Sequence, residues 1–121
     1  MTEAAARLLE RLCERSPEIR GATVLGAADV PLAASGGLDH WALAASAFLS
    51  AADEAAPDQA DRVHVATQDG DVFAVRHGAL AAVATAERFA LASLLSHDLR
   101  QMLRDLDAEI IRITGATVRD P

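Results

Sequence analysis

Apolar positions along the chain fall into two rhythms, and the switches between them outline the elements. From Thr2 onward, Leu8, Leu9, Leu12 and Cys13 recur at helical spacing with Glu and Arg between them. Pro17 disfavours helix at Ser16, so the pattern predicts a first helix over roughly residues 3–15. "GATVLG" predicts a short strand, Ala27-Ala28-Asp29-Val30 a turn, and "PLAAS" a second strand. Pro31 suits the start of an edge strand, where no ladder N–H is needed. Gly36-Gly37 then break the chain, and Asp39 is a good N-cap for a helix running to about Ala56. Pro57-Asp58 begins a polar connection.

The stretch "RVHVATQ-DG-DVFAVRH" carries the clearest local signal. Val63, Val65 and Thr67 alternate with His64, Ala66 and Gln68, a period of two. Asp69-Gly70 is a preferred two-residue hairpin turn, and Val72, Phe73 and Val75 continue the return strand. His77-Gly78 predicts a second turn. "ALAAVATA" then reads as the third strand of a meander, although by propensity residues 79–95 also suit one long helix. The hairpin before it favours a strand ending near Ala86, followed by a helix. In that last helix Leu91, Leu95, Leu99, Met102, Leu106, Ile110 and Ile113 line one side. Ser93, His97, Arg100 and Arg104 occupy the other, and Gly115 is the expected stop.

The middle helix departs from an ordinary amphipathic pattern. Trp41, Ala45, Phe48, Leu49 and Ala52 form a wide apolar side, while Leu43, Ser46, Ala47, Ser50 and Ala51 make the opposite side small and largely apolar too. A helix apolar nearly all round is usually buried on both sides, and in a short chain the second cover can be another chain. Alanine-rich base composition gives the same pattern with no partner at all. The pattern leaves both open.

Composition narrows the class. At 121 residues the chain suits one domain, expected to span 1–121 with a core over about 8–106 and a tail from 114 to 121. Its 28 alanines, with no lysine, asparagine or tyrosine, point to a high-GC, bacterial genome. A net charge of −7 argues against a nucleic-acid partner. A single cysteine, Cys13, makes no disulfide framework. The acidic, helix-patterned start does not read as a signal peptide. The longest apolar run, Trp41 to Leu49 with one serine, is too short to span a bilayer. The expectation is a cytoplasmic protein with no membrane insertion.

Candidate chemistry is sparse. Gly21 and Gly26 have the outer spacing of a phosphate loop, but Ala27-Ala28 stand where Lys and Ser/Thr are required. These glycines also lie within and before strands rather than between strand and helix. His40, His64, His77 and His97 show no metal-site spacing, and Cys13 has no neighbouring ligand. Asp39-His40 near Ser35 supply the residue types of a triad without a nucleophile elbow. The reading is therefore no catalytic residues, no metal, no cofactor, and not an enzyme.

The order helix, strand, strand, helix, three strands, helix, with "GATVLGAADVPLAAS", "VHVATQDGDVFAVRH" and "ALAAVATAERFALASLLSHDLRQML", resembles the roadblock/dynein light chain family over roughly Leu8 to Leu106. One departure is Asp29-Val30, which stands where the family usually has an Asp-Gly-type turn before the "PLA" strand. The resemblance implies an α/β (α+β) sandwich of order α-β-β-α-β-β-β-α. Its five-stranded antiparallel sheet would carry the first and last helices on one face and the middle helix on the other.

The resemblance also implies a homodimer in which the third strand, Arg62 to Gln68, pairs with its twin and the middle helices lie over the seam. That places Leu43, Ala47, Ser50, Val63, His64, Val65 and Thr67 in the dimer interface. Family members bind Ras-like small GTPases, sometimes as activators, or act as accessory and scaffold subunits. The implied partner is a small Ras-like GTPase, with His40, Leu43, Ala47 and Glu54 as its docking residues. The alternative is a dimerisation subunit of a larger assembly without a GTPase. For an activator, the arginines on regular elements and at their ends (Arg7, Arg11, Arg15, Arg62, Arg76, Arg88, Arg100, Arg104) are poorly placed to act as inserted fingers. Positioning of the GTPase's own residues is the expected mode.

Overall fold

The computed structural model describes residues 2–35, 47–54, 62–68, 70–87 and 92–114. Helix α1 spans Thr2–Arg15, followed by strands β1 (Ile19–Leu25) and β2 (Pro31–Ala34). Residues 47–54 are helical and are called α2. Strands β3 (Arg62–Thr67), β4 (Gly70–His77) and β5 (Leu80–Ala86) lead to helix α3 (Ala92–Thr114). The strands form one antiparallel sheet in the order β2-β1-β5-β4-β3, so β2 and β3 are its edges. This is the expected α/β architecture.

Helix α1 forms because Ala4, Ala5, Leu9 and Leu12 recur on one side, and all four are buried. Glu3 in the first turn and Arg15 in the last suit the helix dipole. The helix closes with the Ser16 N–H donating to the Leu12 carbonyl at 2.9 Å, and Pro17 prevents another turn. β1 begins at Ile19, two residues before the "GATVLG" core.

The β1–β2 turn resolves the Asp29-Val30 departure. A single 3₁₀ turn covers Ala27–Asp29, with Ala28 in the left-handed region at φ 56°. The Gly26 N–H donates to the Val30 carbonyl at 2.7 Å, and the Val30 N–H to the Ala27 carbonyl at 3.2 Å. Alanine thus holds a backbone conformation that glycine takes at no steric cost.

Both hairpin turns sit one residue earlier or later than their glycines suggested. Thr67 pairs with Gly70, so residues 68–69 make the connection and Gly70 opens β4. Gly70 has φ 148°, and a Cβ there would collide with the carbonyl oxygen of Ala86 on β5. Glycine is needed at 70 for close approach of a neighbouring strand, not for the turn itself. His77 likewise pairs with Leu80, and Gly78 enters the second turn at φ 61°.

β5 is a strand despite its alanine content, because it is laddered on both sides, to β1 and to β4. Tertiary pairing here overrides helix propensity. Its small side chains let helices approach closely. Leu80, Ala82, Ala84 and Ala86 face a core with α1 and α3, joined by Val24, Phe73, Leu99, Leu103 and Leu106. Ala81 and Val83 face the opposite side, with Leu25, Ala74, Leu49 and the partly buried Phe48, Val63 and Val72. The first and last helices therefore cover one face and α2 the other, as expected. The α3 stripe holds for Leu95, Leu99, Met102, Leu106 and Ile110, and Leu103 is buried beside it. Leu91, Gly115 and most of the middle helix lie outside the residues whose placement is described.

Candidate functional site

The surface of interest is built from β3 and α2. β3 is an edge strand, paired with β4 on one side through Arg62↔Val75, Val63↔Ala74, His64↔Phe73 and Val65↔Val72. Directly paired residues project to the same face, so Val63 and Val65 share the α2 face with Ala74 and Val72. Val63 is half-buried against the cluster that holds Leu49, Ala74 and Val83, whereas Val65 is 42 % exposed. An apolar β-branched residue in the open on a sheet edge is a feature natural sheets normally cover.

Helix α2 adds a flat neighbour. Leu49 is buried and Phe48 half-buried against the sheet, while Ala47, Ser50, Ala51 and Glu54 are exposed. Those four occupy positions i, i+3, i+4 and i+7, a single stripe of mostly small side chains. The helix is clamped to the sheet by an ion pair from Arg76 on β4 to Asp53 at 2.7 Å. Nothing local in the sequence links positions 53 and 76, so the clamp leaves no pattern along the chain.

Of the residues expected at a dimer seam, Val63, Val65, Ala47 and Ser50 are gathered on this one face. Thr67 closes the same strand. His64 lies on the reverse face. Its ring stacks on Phe73 with centroids 4.5 Å apart, and its Nε2 is 3.0 Å from the Asp71 carboxylate. Of the expected partner-binding residues, Ala47 and Glu54 share the α2 stripe, while His40 and Leu43 lie outside the described residues.

The remaining candidate chemistry resolves into packing. Gly21 is buried within β1, not in a loop that could cradle phosphate. His77 approaches Asp107 on α3 at 3.3 Å, so both described β-strand histidines are matched to largely buried aspartates. Ser35 accepts a hydrogen bond from the Ala22 N–H at 2.9 Å, which occupies it structurally. Cys13 lines an open apolar cleft between α1 and β2 with Leu9 and Ala33. Burial pushes its thiol up, and a hydrogen bond with Ser35 partly offsets that. Among the described residues no group of three or more His, Cys, Asp or Glu is placed to hold a metal ion. No described helix is long and apolar enough to cross a membrane.

No family model and no curated protein matches the sequence. Solved structures do match its fold. A Roadblock/LC7 domain from Streptomyces avermitilis superposes with TM-score 0.73 at 20% identity, covering 87% of this chain and 96% of that one. MglB from Myxococcus xanthus gives TM-score 0.76 at 9% identity, covering 97% and 95%. The likeness extends to the profilin LokiProfilin1, solved in complex with rabbit actin, at TM-score 0.63 and 11% identity, covering 91% and 98%. The chain has the fold of the Roadblock/LC7 domain, and the resemblance read from its sequence holds in three dimensions.

Proposed function

We propose that the protein is a cytoplasmic, non-enzymatic homodimeric regulator or scaffold that binds a Ras-like small GTPase and can act as its activator. One observation carries this reading: the β3 edge, with Val65 exposed, lies beside the small-residue stripe of α2 on a fold shared with MglB. Pairing β3 with its twin satisfies the open strand edge and covers Val65. The two α2 stripes, Ala47, Ser50, Ala51 and Glu54 from each protomer, then form one platform of low relief. Such a platform, completed by His40 and Leu43, is the surface offered to the GTPase.

Activation in this reading works by positioning. Arg7 is tied to Glu109 and Arg76 to Asp53, and α1 and α3 carry their arginines on the sheet face away from α2. None of these described arginines is a mobile finger beside the platform. The likeness to a profilin solved with actin favours a second reading, a structural subunit whose partner is not a GTPase.

The test begins with affinity capture from the source organism, with and without a non-hydrolysable GTP analogue. A nucleotide-dependent small GTPase, identified by mass spectrometry, is the expected result. Single-turnover hydrolysis by that GTPase should then be lost with Ala51→Asp and retained within a few-fold in each Arg→Ala variant. Capture of only non-GTPase partners would transfer the case to the structural reading.

A further inference from the structure

The opposite face carries a feature that the α2 platform does not use. The chain's net charge is −7, yet three arginines converge where α3 passes the β3 edge. Arg62 of β3 and Ser96, His97, Arg100 and Arg104 of α3 line a groove of ≈ 340 Å³. On α3 positions 97, 100 and 104 follow one another at i, i+3 and i+7, so their side chains form one row. Arg7, Arg76 and Arg112 are each paired with Glu109 or Asp53. Arg62, Arg100 and Arg104 have no ion pair among the described residues.

Four of the described acids on α3 and β4 are engaged elsewhere. Asp105 accepts from Gln101 at 3.1 Å and lines a different groove, with Arg11 and Arg15 of α1. Asp71 is held by His64, Asp107 by His77 and Glu109 by Arg7 and Arg112. Three guanidiniums that line one groove, with no ion pair among the described residues, repel one another, a cost that an anionic occupant removes.

We propose that this groove docks an extended acidic peptide segment of a partner protein, on the sheet face opposite α2. From position 93 to 104 the row runs about 16 Å along α3. That is several times the width of one phosphate and about five residues of extended chain. Guanidinium forks grip carboxylates through paired N–H donors. A nucleic acid fits poorly, because the chain is acidic and no Phe, Tyr or Trp ring lines the described groove for bases to stack on. A membrane fits poorly too, since a concave groove withholds its charges from a flat surface.

The test is fluorescence anisotropy with labelled hexaglutamate, in about 0.1 M salt, where screening limits repulsion from the rest of the chain to about 10 Å. Wild-type protein should bind hexaglutamate and not hexaglutamine. Arg100→Glu with Arg104→Glu should weaken binding by about tenfold or more. Arg11→Glu with Arg15→Glu changes net charge equally and should leave affinity within about twofold if the site is local. Should the first pair fail to fold by circular dichroism, Arg62→Gln with Arg104→Gln, both exposed, provides the same reading. Absence of hexaglutamate binding up to millimolar protein would overturn the proposal. So would equal loss in the α1 control pair, or tighter binding to phosphatidylglycerol vesicles or oligo-dT than to the peptide.

Discussion

Arg76 donates to the Asp53 carboxylate at 2.7 Å, joining the C-terminal end of β4 to the last turn of the described α2. Arg76 is largely buried and Asp53 about one-third exposed, so the pair sits at the rim of the layer between sheet and helix. It fixes the azimuth of α2, and with it which residues the helix shows to solvent. A double-mutant cycle of Arg76→Met and Asp53→Ala should give a coupling energy of about 1 kcal/mol in chemical denaturation. Additive single effects would remove this role.

Gly70 is the position least tolerant of a side chain. Gly70→Ala must move the β4–β5 ladder away from the Ala86 carbonyl and hold alanine at a φ it rarely adopts. The expected loss is about 2 kcal/mol or more, read as a lower urea midpoint at unchanged slope. A midpoint equal to wild type would contradict the geometry.

Thr23 presents the reverse case. It is fully buried in β1, and its Oγ1 has no hydrogen-bond partner among the described residues. Thr23→Val keeps the shape and removes the orphan hydroxyl, so stability should rise by about 1 kcal/mol. A fall in melting temperature would mean that the hydroxyl is satisfied in solution.

The edge strand can be tested without knowing any partner. Under the proposed assembly the wild type sediments as a dimer at micromolar concentration, and Val65→Arg sediments as a folded monomer. A monomeric wild type, or a dimeric Val65→Arg, would reject pairing through β3.

Cys13 should be a sluggish nucleophile. Burial raises its pKa, so less thiolate is present at neutral pH than on an exposed cysteine, and alkylation should climb only above the usual thiol range. Ser35→Ala removes the hydrogen bond that lowers the pKa and should push the midpoint of the rate–pH profile higher still. A midpoint below that of a free thiol peptide would disprove this environment.

Much of the fold is encoded within single segments of the sequence. The period of Leu9 and Leu12, the stop at Pro17 and the alternation of Val63 and Val65 each depend on residues within a few positions of one another. Local sterics and burial act at that range, so α1, the β3–β4 hairpin and the stripe of α3 could be read from the chain alone. Ala47, Ser50 and Ala51 were likewise visible as part of a helix side too small and apolar to be ordinary.

Tertiary structure decided what depends on distant positions meeting. That Ala79 onward would be strand rather than helix rested on β5 finding β1 and β4, since alanine itself favours the helix. Gly70 looked like a turn glycine until the Ala86 carbonyl, sixteen positions on, defined its reason. His64 alternates with Val63 in the sequence, but only the sheet shows it stacked on Phe73 and facing α3 rather than α2. The clamp of Arg76 on Asp53, and the gathering of Arg62 with Arg100 and Arg104, arise from layers packing at distances no local pattern encodes. A side chain's own identity sets what it can bind, and the packing of strands and helices sets which neighbours it meets.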